Sequence, residues 1–94
     1  MEEKLLKILE TYGLTPQRNK LAEEYRELQD ELYIFINEEE ENILDELVDI
    51  MVVVFQFLVL AGYSFEHLEE NIKRKLEFKV DRQLSRIERG EEWK

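Results

Sequence analysis

Five acidic residues stand at spacings that suit chemistry. Glu23, Glu24 and Glu27 form an EExxE pattern within LAEEYRELQDEL, and Glu46 and Asp49 form an ExxD pattern within LDELVDIMVVVF. Both stretches have the apolar period of a helix, and residues three apart in a helix lie one turn above each other on nearly the same face. Each pair therefore aims two carboxylates at one point, and two such helices packed side by side bring four together. An oxygen-only cluster of that charge suits Mg²⁺, or Mn²⁺, rather than a soft metal. Without a cation the acids repel one another and some pKa values rise; a divalent cation reverses the sign of the interaction. The chemistry such a centre supports is attack of water on a phosphoryl group. The plain alternative is that acids on exposed helix positions match ExxE by accident in a chain with 23 acidic residues. Against it stands Asp49, which is followed directly by an apolar run, and an acid at the margin of a buried region needs a partner or a metal.

The elements that must position these acids are helices. A short amphipathic helix is predicted from about Glu2 to Tyr12, with Leu5, Leu6, Ile8 and Leu9 on its apolar face and Gly13 as its stop. Thr15 and Pro16 signal the start of a second helix running to about Ile36. Its apolar stripe is Leu21, Tyr25, Leu28, Leu32 and Phe35 or Ile36, with Glu24, Glu27 and Glu31 along one edge and Glu23 pointing away. A third helix is predicted from about Glu40 to Ala61. Between Ile50 and Leu60 it is apolar on all sides except at Gln56, so it needs covering on more than one side, and a second subunit is the expected cover. Gly62 ends it and Ser64 caps a fourth helix that runs to about Arg89, before Gly90. That helix pairs an apolar stripe from Phe65 to Ile87 with a polar row of Asn71, Lys75, Lys79, Arg82 and Arg86, so one of its edges is basic.

Composition limits the functions available. Ninety-four residues with 44% hydrophobic, 38% charged, three Gly and one Pro read as a single all-α domain spanning residues 1–94. A chain this short buries a limited share of its surface alone, so oligomerisation is expected. The absence of cysteine excludes disulfides, thiolate zinc sites and cysteine catalysis, and a single histidine, His67, excludes a multi-histidine metal site. A net charge of −10 disfavours long nucleic acid as a partner. The charges are also segregated: twelve acids and one base lie between Glu23 and Asp49, while eight of the thirteen Lys and Arg follow Asn71. The first ten residues lack the pattern of a secretory signal, and the apolar run from Leu47 to Ala61 falls short of the roughly 20 residues of a membrane span. A cytosolic protein with no membrane segment is expected. Tyr12, Tyr25, Tyr33 and Phe35 offer rings for base stacking, although aromatics at helical spacing more often build cores; Trp93 lies beyond the last helix stop.

The whole signature, Glu23, Glu24 and Glu27, then eighteen residues, then Glu46 and Asp49, resembles that of the MazG-like nucleoside triphosphate pyrophosphohydrolases. The flanking words TYGLTPQRNKLAEEYREL, with Tyr12, Gly13 and Gln17 before the acids, and FKVDRQLSRIERG are similar to the small phage and bacterial members. The resemblance covers most of the chain. It implies a four-helix bundle completed by oligomerisation, as a homodimer or homotetramer. It also implies a Mg²⁺-dependent cleavage of a nucleoside triphosphate between the α and β phosphates, giving a monophosphate and pyrophosphate. Carried over by position, Glu24, Glu27, Glu46 and Asp49 would be the metal ligands and catalytic group. Asn71, Lys75, Lys79 and Arg82 would bind the substrate, and water would be the nucleophile. Base and sugar preference are not legible. The reading from a different class is a helical oligomerisation or adaptor module of the same fold, whose apolar third helix docks a partner.

Overall fold

The protein is seen here as a computed structural model that describes residues 1–38 and 42–90. Four helices follow one another: α1 (Glu2–Tyr12), α2 (Leu14–Glu38), α3 (Ile43–Leu60) and α4 (Phe65–Glu88). There is no strand among the described residues, and the fold is all-α. The chain divides into two compact units, residues 1–63 with α1, α2 and α3, and the part from Ser64 onward with α4.

In the first unit, α1 has the bounds its period predicts. It buries Leu5 and Leu9 and ends at Gly13, whose N–H donates to the Leu9 carbonyl at 2.8 Å. Gly13 adopts φ 93, a region glycine enters at little cost. Helix α2 begins at Leu14, one residue before the predicted Thr15 cap. Pro16 thus sits inside the first turn, where its missing N–H removes no helical bond. Glycine 13 is the whole connection between the two helices.

Helices α2 and α3 run antiparallel. Glu24 interacts with Asp49, Glu46 with Glu27, and the Glu31 carboxylate accepts a bond from the Asn42 N–H at 3.1 Å, so numbers rise on α2 as they fall on α3. Asn42 is the N-cap of α3, and an acid at that end complements the helix dipole. Glu31 thus serves the start of α3. The predicted start of α3 near Glu40, like Trp93, lies outside the described residues.

The apolar stripe predicted for α2 is only partly the buried one. Leu21 and Leu28 are half-buried, but Tyr25, Leu32 and Phe35 are exposed, and the buried row is completed by Gln17, Glu24 and Glu31. On α3, Val53, Gln56 and Val59 are buried while Leu44, Leu47, Val48 and Val52 are exposed. Leu5, Leu9, Val53 and Val59 make up the apolar core of this unit. Leu9 is 3% exposed, and its replacement by Ala should cost about 2–5 kcal/mol through lost burial and the cavity left behind. Urea denaturation at constant slope measures that loss.

The described part of the second unit is one long helix, α4. Ser64 stands at its N-cap with extended backbone and its carbonyl accepts from the His67 N–H, while Gly90 follows its end at φ 75. No helix among the described residues is long and apolar enough to cross a membrane.

Candidate metal centre

The antiparallel pairing of α2 and α3 sets the two acid pairs at the same level. Glu24 and Glu27 are one turn apart on α2, Glu46 and Asp49 one turn apart on α3, and one carboxylate oxygen from each lies within 4.8 Å of the others. The four acids singled out from the sequence are therefore a single cluster. Glu23, displaced by helical phase, is exposed and outside it.

The cluster is graded from buried to open. Glu24 is 8% exposed, Glu46 is half-buried, and Glu27 and Asp49 reach solvent. Burial pushes the Glu24 carboxyl above its ordinary value. The charges of Glu27 and Asp49 add to the rise, Lys20 opposes it, and a hydrogen bond with Glu27 holds the proton. Glu46 is raised in the same way, by burial first and then by Glu27, Asp49 and Glu31. Without a cation both carboxyls bind their protons more tightly than ordinary carboxylates do.

Oxygen Oε2 of Glu24 and Oε2 of Glu46 are buried without a hydrogen-bond partner. A buried acceptor left unpaired costs about 1–3 kcal/mol, more when charged, and a cation between the helices would supply the missing partner to both. The donors are all carboxylate oxygens, so the residues fit a hard divalent cation. The cluster can hold a metal ion.

Beside it lies a cavity of about 390 Å³, formed by α1, α2 and α3. Glu24 and Asp49 belong to its wall as well as to the cluster, and Tyr12, Gln17, Lys20 and Gln56 complete its polar lining. Gln56 is fully buried, and neither Nε2 nor Oε1 has a hydrogen-bond partner. Lys20 was not singled out by sequence reasoning, although its place one turn before Glu24 on α2 was there to be read. Gln56 was visible only as the polar exception in an apolar run. Of the aromatic candidates, Tyr12 lines this cavity. Tyr25 lines a separate apolar groove with Leu21, Ile50 and Val54.

The substrate-binding candidates Asn71, Lys75, Lys79 and Arg82 all lie on α4, at spacings that place them along one edge of that helix. Asn71 is half-buried and its side-chain oxygen accepts a hydrogen bond from Arg74, while Lys75, Lys79 and Arg82 are exposed. His67 is exposed and contributes its backbone N–H to the first turn.

Compared with known family models, curated proteins and solved structures, the chain matches none of them. What it does is therefore read from the site itself.

Proposed function

We infer that the protein is a Mg²⁺-dependent nucleoside triphosphate pyrophosphohydrolase, cleaving between the α and β phosphates to release pyrophosphate. The observation that carries this reading is the set of four carboxylates converging within 4.8 Å at the edge of a cavity, two of them with a buried, unpartnered oxygen. The MazG-like signature of the sequence points to the same chemistry.

Glu24, Glu27, Glu46 and Asp49 hold the cation, which when bound supplies positive charge to phosphate oxygens and acidifies water. Glu24 and Glu46, enclosed by α2 and α3, fix the position of the centre. Glu27 and Asp49, at the solvent side, would be the ligands nearest to an incoming triphosphate and water. Lys20 beside Glu24 offers a first counter-charge for the phosphates, and the basic row of Lys75, Lys79 and Arg82 is the further source that the sequence provides. Self-association as a dimer or tetramer accompanies this reading, supported by the exposure of Leu44, Leu47, Val48 and Val52 on α3. The same exposed face favours the second reading, an adaptor whose acids serve solubility.

Pyrophosphate release from a nucleotide panel that includes dUTP, dCTP and oxidised nucleotides, with and without Mg²⁺, separates the two. The expected result is Mg²⁺-dependent turnover of at least one nucleotide. Silence across the panel would favour the adaptor.

A further inference from the structure

Gln56 has no task in the reaction above, yet it occupies the most enclosed position among the described residues. Its amide is fully buried, with a free donor and a free acceptor, and it lines the cavity that Glu24 and Asp49 also border. We propose that this cavity receives the base of the nucleotide and that the Gln56 amide reads the base edge. The inference rests on the nucleotide reading and adds its specificity element.

Three features support it. First, an amide with both atoms unpaired complements a heterocycle that carries an acceptor and a donor side by side, and glutamine pairs with base edges in this two-bond manner. Second, Gln56 follows Asp49 by seven residues, two turns or about 10 Å along α3. That interval leaves room for a sugar between a phosphate held at the carboxylates and a base held at the amide. Third, the wall supplies a ring as well as an edge reader. Tyr12, at the C-terminal end of α1, lines the cavity and is 63% exposed, so its face is accessible for stacking. A volume of about 390 Å³ lies within the roughly 300–1,000 Å³ range of ligand pockets.

A buried pair of this kind also makes a selective site. A base lacking either group leaves Nε2 or Oε1 unpaired, and sites built on hydrogen bonds reject such analogues far more strongly than apolar pockets do. Gln17, buried on α2 and lining the same cavity, stands level with Gln56 in the antiparallel register and gives the pocket a second amide.

The test uses nucleosides, which carry no phosphate and need no metal. Calorimetric titration of the intact protein with adenosine, guanosine, cytidine, uridine and thymidine should show binding of at least one, and none of ribose. The side-chain NH₂ resonance of Gln56 should shift during the same titration. Gln56→Met, which removes both polar atoms at similar volume, should weaken that nucleoside tenfold or more while the melting temperature stays level or rises. Absence of binding by any nucleoside, an unmoved Gln56 resonance during binding, or undiminished affinity in a folded Gln56→Met would each overturn the proposal. The resonance decides the matter even if the variant does not fold. Nucleoside binding through Gln56 without turnover of any triphosphate would sink the hydrolase reading and keep the pocket. Turnover with the same kcat/KM in Gln56→Met would do the reverse.

Discussion

Asp49→Asn and Glu27→Gln should each lower the proposed Mg²⁺-dependent pyrophosphate release by about 100-fold or more, the scale expected for losing a charged group that acts directly at a reacting centre. Both side chains reach solvent and belong to the carboxylate cluster, so neither change opens a cavity in the core. Loss of activity in a folded protein can then be assigned to the site. Glu23→Gln is the internal control, because Glu23 carries the same charge one residue from Glu24 but is exposed and outside the cluster. Its turnover should stay within a few-fold of the unmodified protein. Rates measured across a Mg²⁺ titration also show whether added metal rescues the variants, as expected when a ligand is lost and affinity falls. Equal rates in all four proteins would place the chemistry elsewhere.

Glu24→Gln should have the opposite effect on stability that it has on function. Burial and the neighbouring acids hold the Glu24 carboxyl above its ordinary value of 4.5, with Glu46 raised alongside it. A carboxyl that binds its proton more tightly folded than unfolded favours the fold below the unfolded pKa. That contribution disappears as the pH rises through the folded value. The metal-free protein therefore weakens from about pH 4.5 upward, through the raised range of these two groups. A neutral amide at position 24 removes one source of that weakening. At pH 7 in chelator the Glu24→Gln variant should melt above the unmodified protein, the direction that follows from a carboxyl raised by burial and by its acidic neighbours. The gap should close as the pH falls toward 4.5. Saturating Mg²⁺ should invert the order, because the cation stabilises the unmodified cluster and has fewer ligands in the variant. Identical melting curves at pH 7 in chelator would mean that the acids are adequately solvated apart from one another.

The position of the acids was legible because three-residue spacing on two helices leaves them little choice once the helices lie antiparallel. Helix ends at Gly13, Gly62 and Gly90 were legible for a similarly local reason, since positive φ favours glycine. The buried face of α2 was not. Leu21 and Leu28 belong to two rows, one continuing through Tyr25, Leu32 and Phe35 and the other through Gln17, Glu24 and Glu31. Hydrophobicity selects the first row, whereas packing against α1 and α3 buries the second. A site that buries carboxylates has to invert the usual pattern, and no periodicity announces the inversion. Gln56 was hidden for a related reason: a polar exception in an apolar helix shows where it is but not that a cavity faces it.

The one-residue joint at Gly13 has a consequence for how α2 finds its place. Gln17, Glu24 and Glu31 recur every seven residues, with Leu21 and Leu28 between them, so α2 presents α3 with a heptad seam that repeats itself. Leucine packing alone scarcely distinguishes the native register from one slipped by a full heptad. A slip would set Gln17 where Glu24 stands and dismantle the carboxylate centre. Because α1 is docked through Leu5 and Leu9 and joined to α2 by a single glycine, the chain has no slack for such a slide. The single glycine between α1 and α2 acts as the pin that selects the register in which the four carboxylates meet.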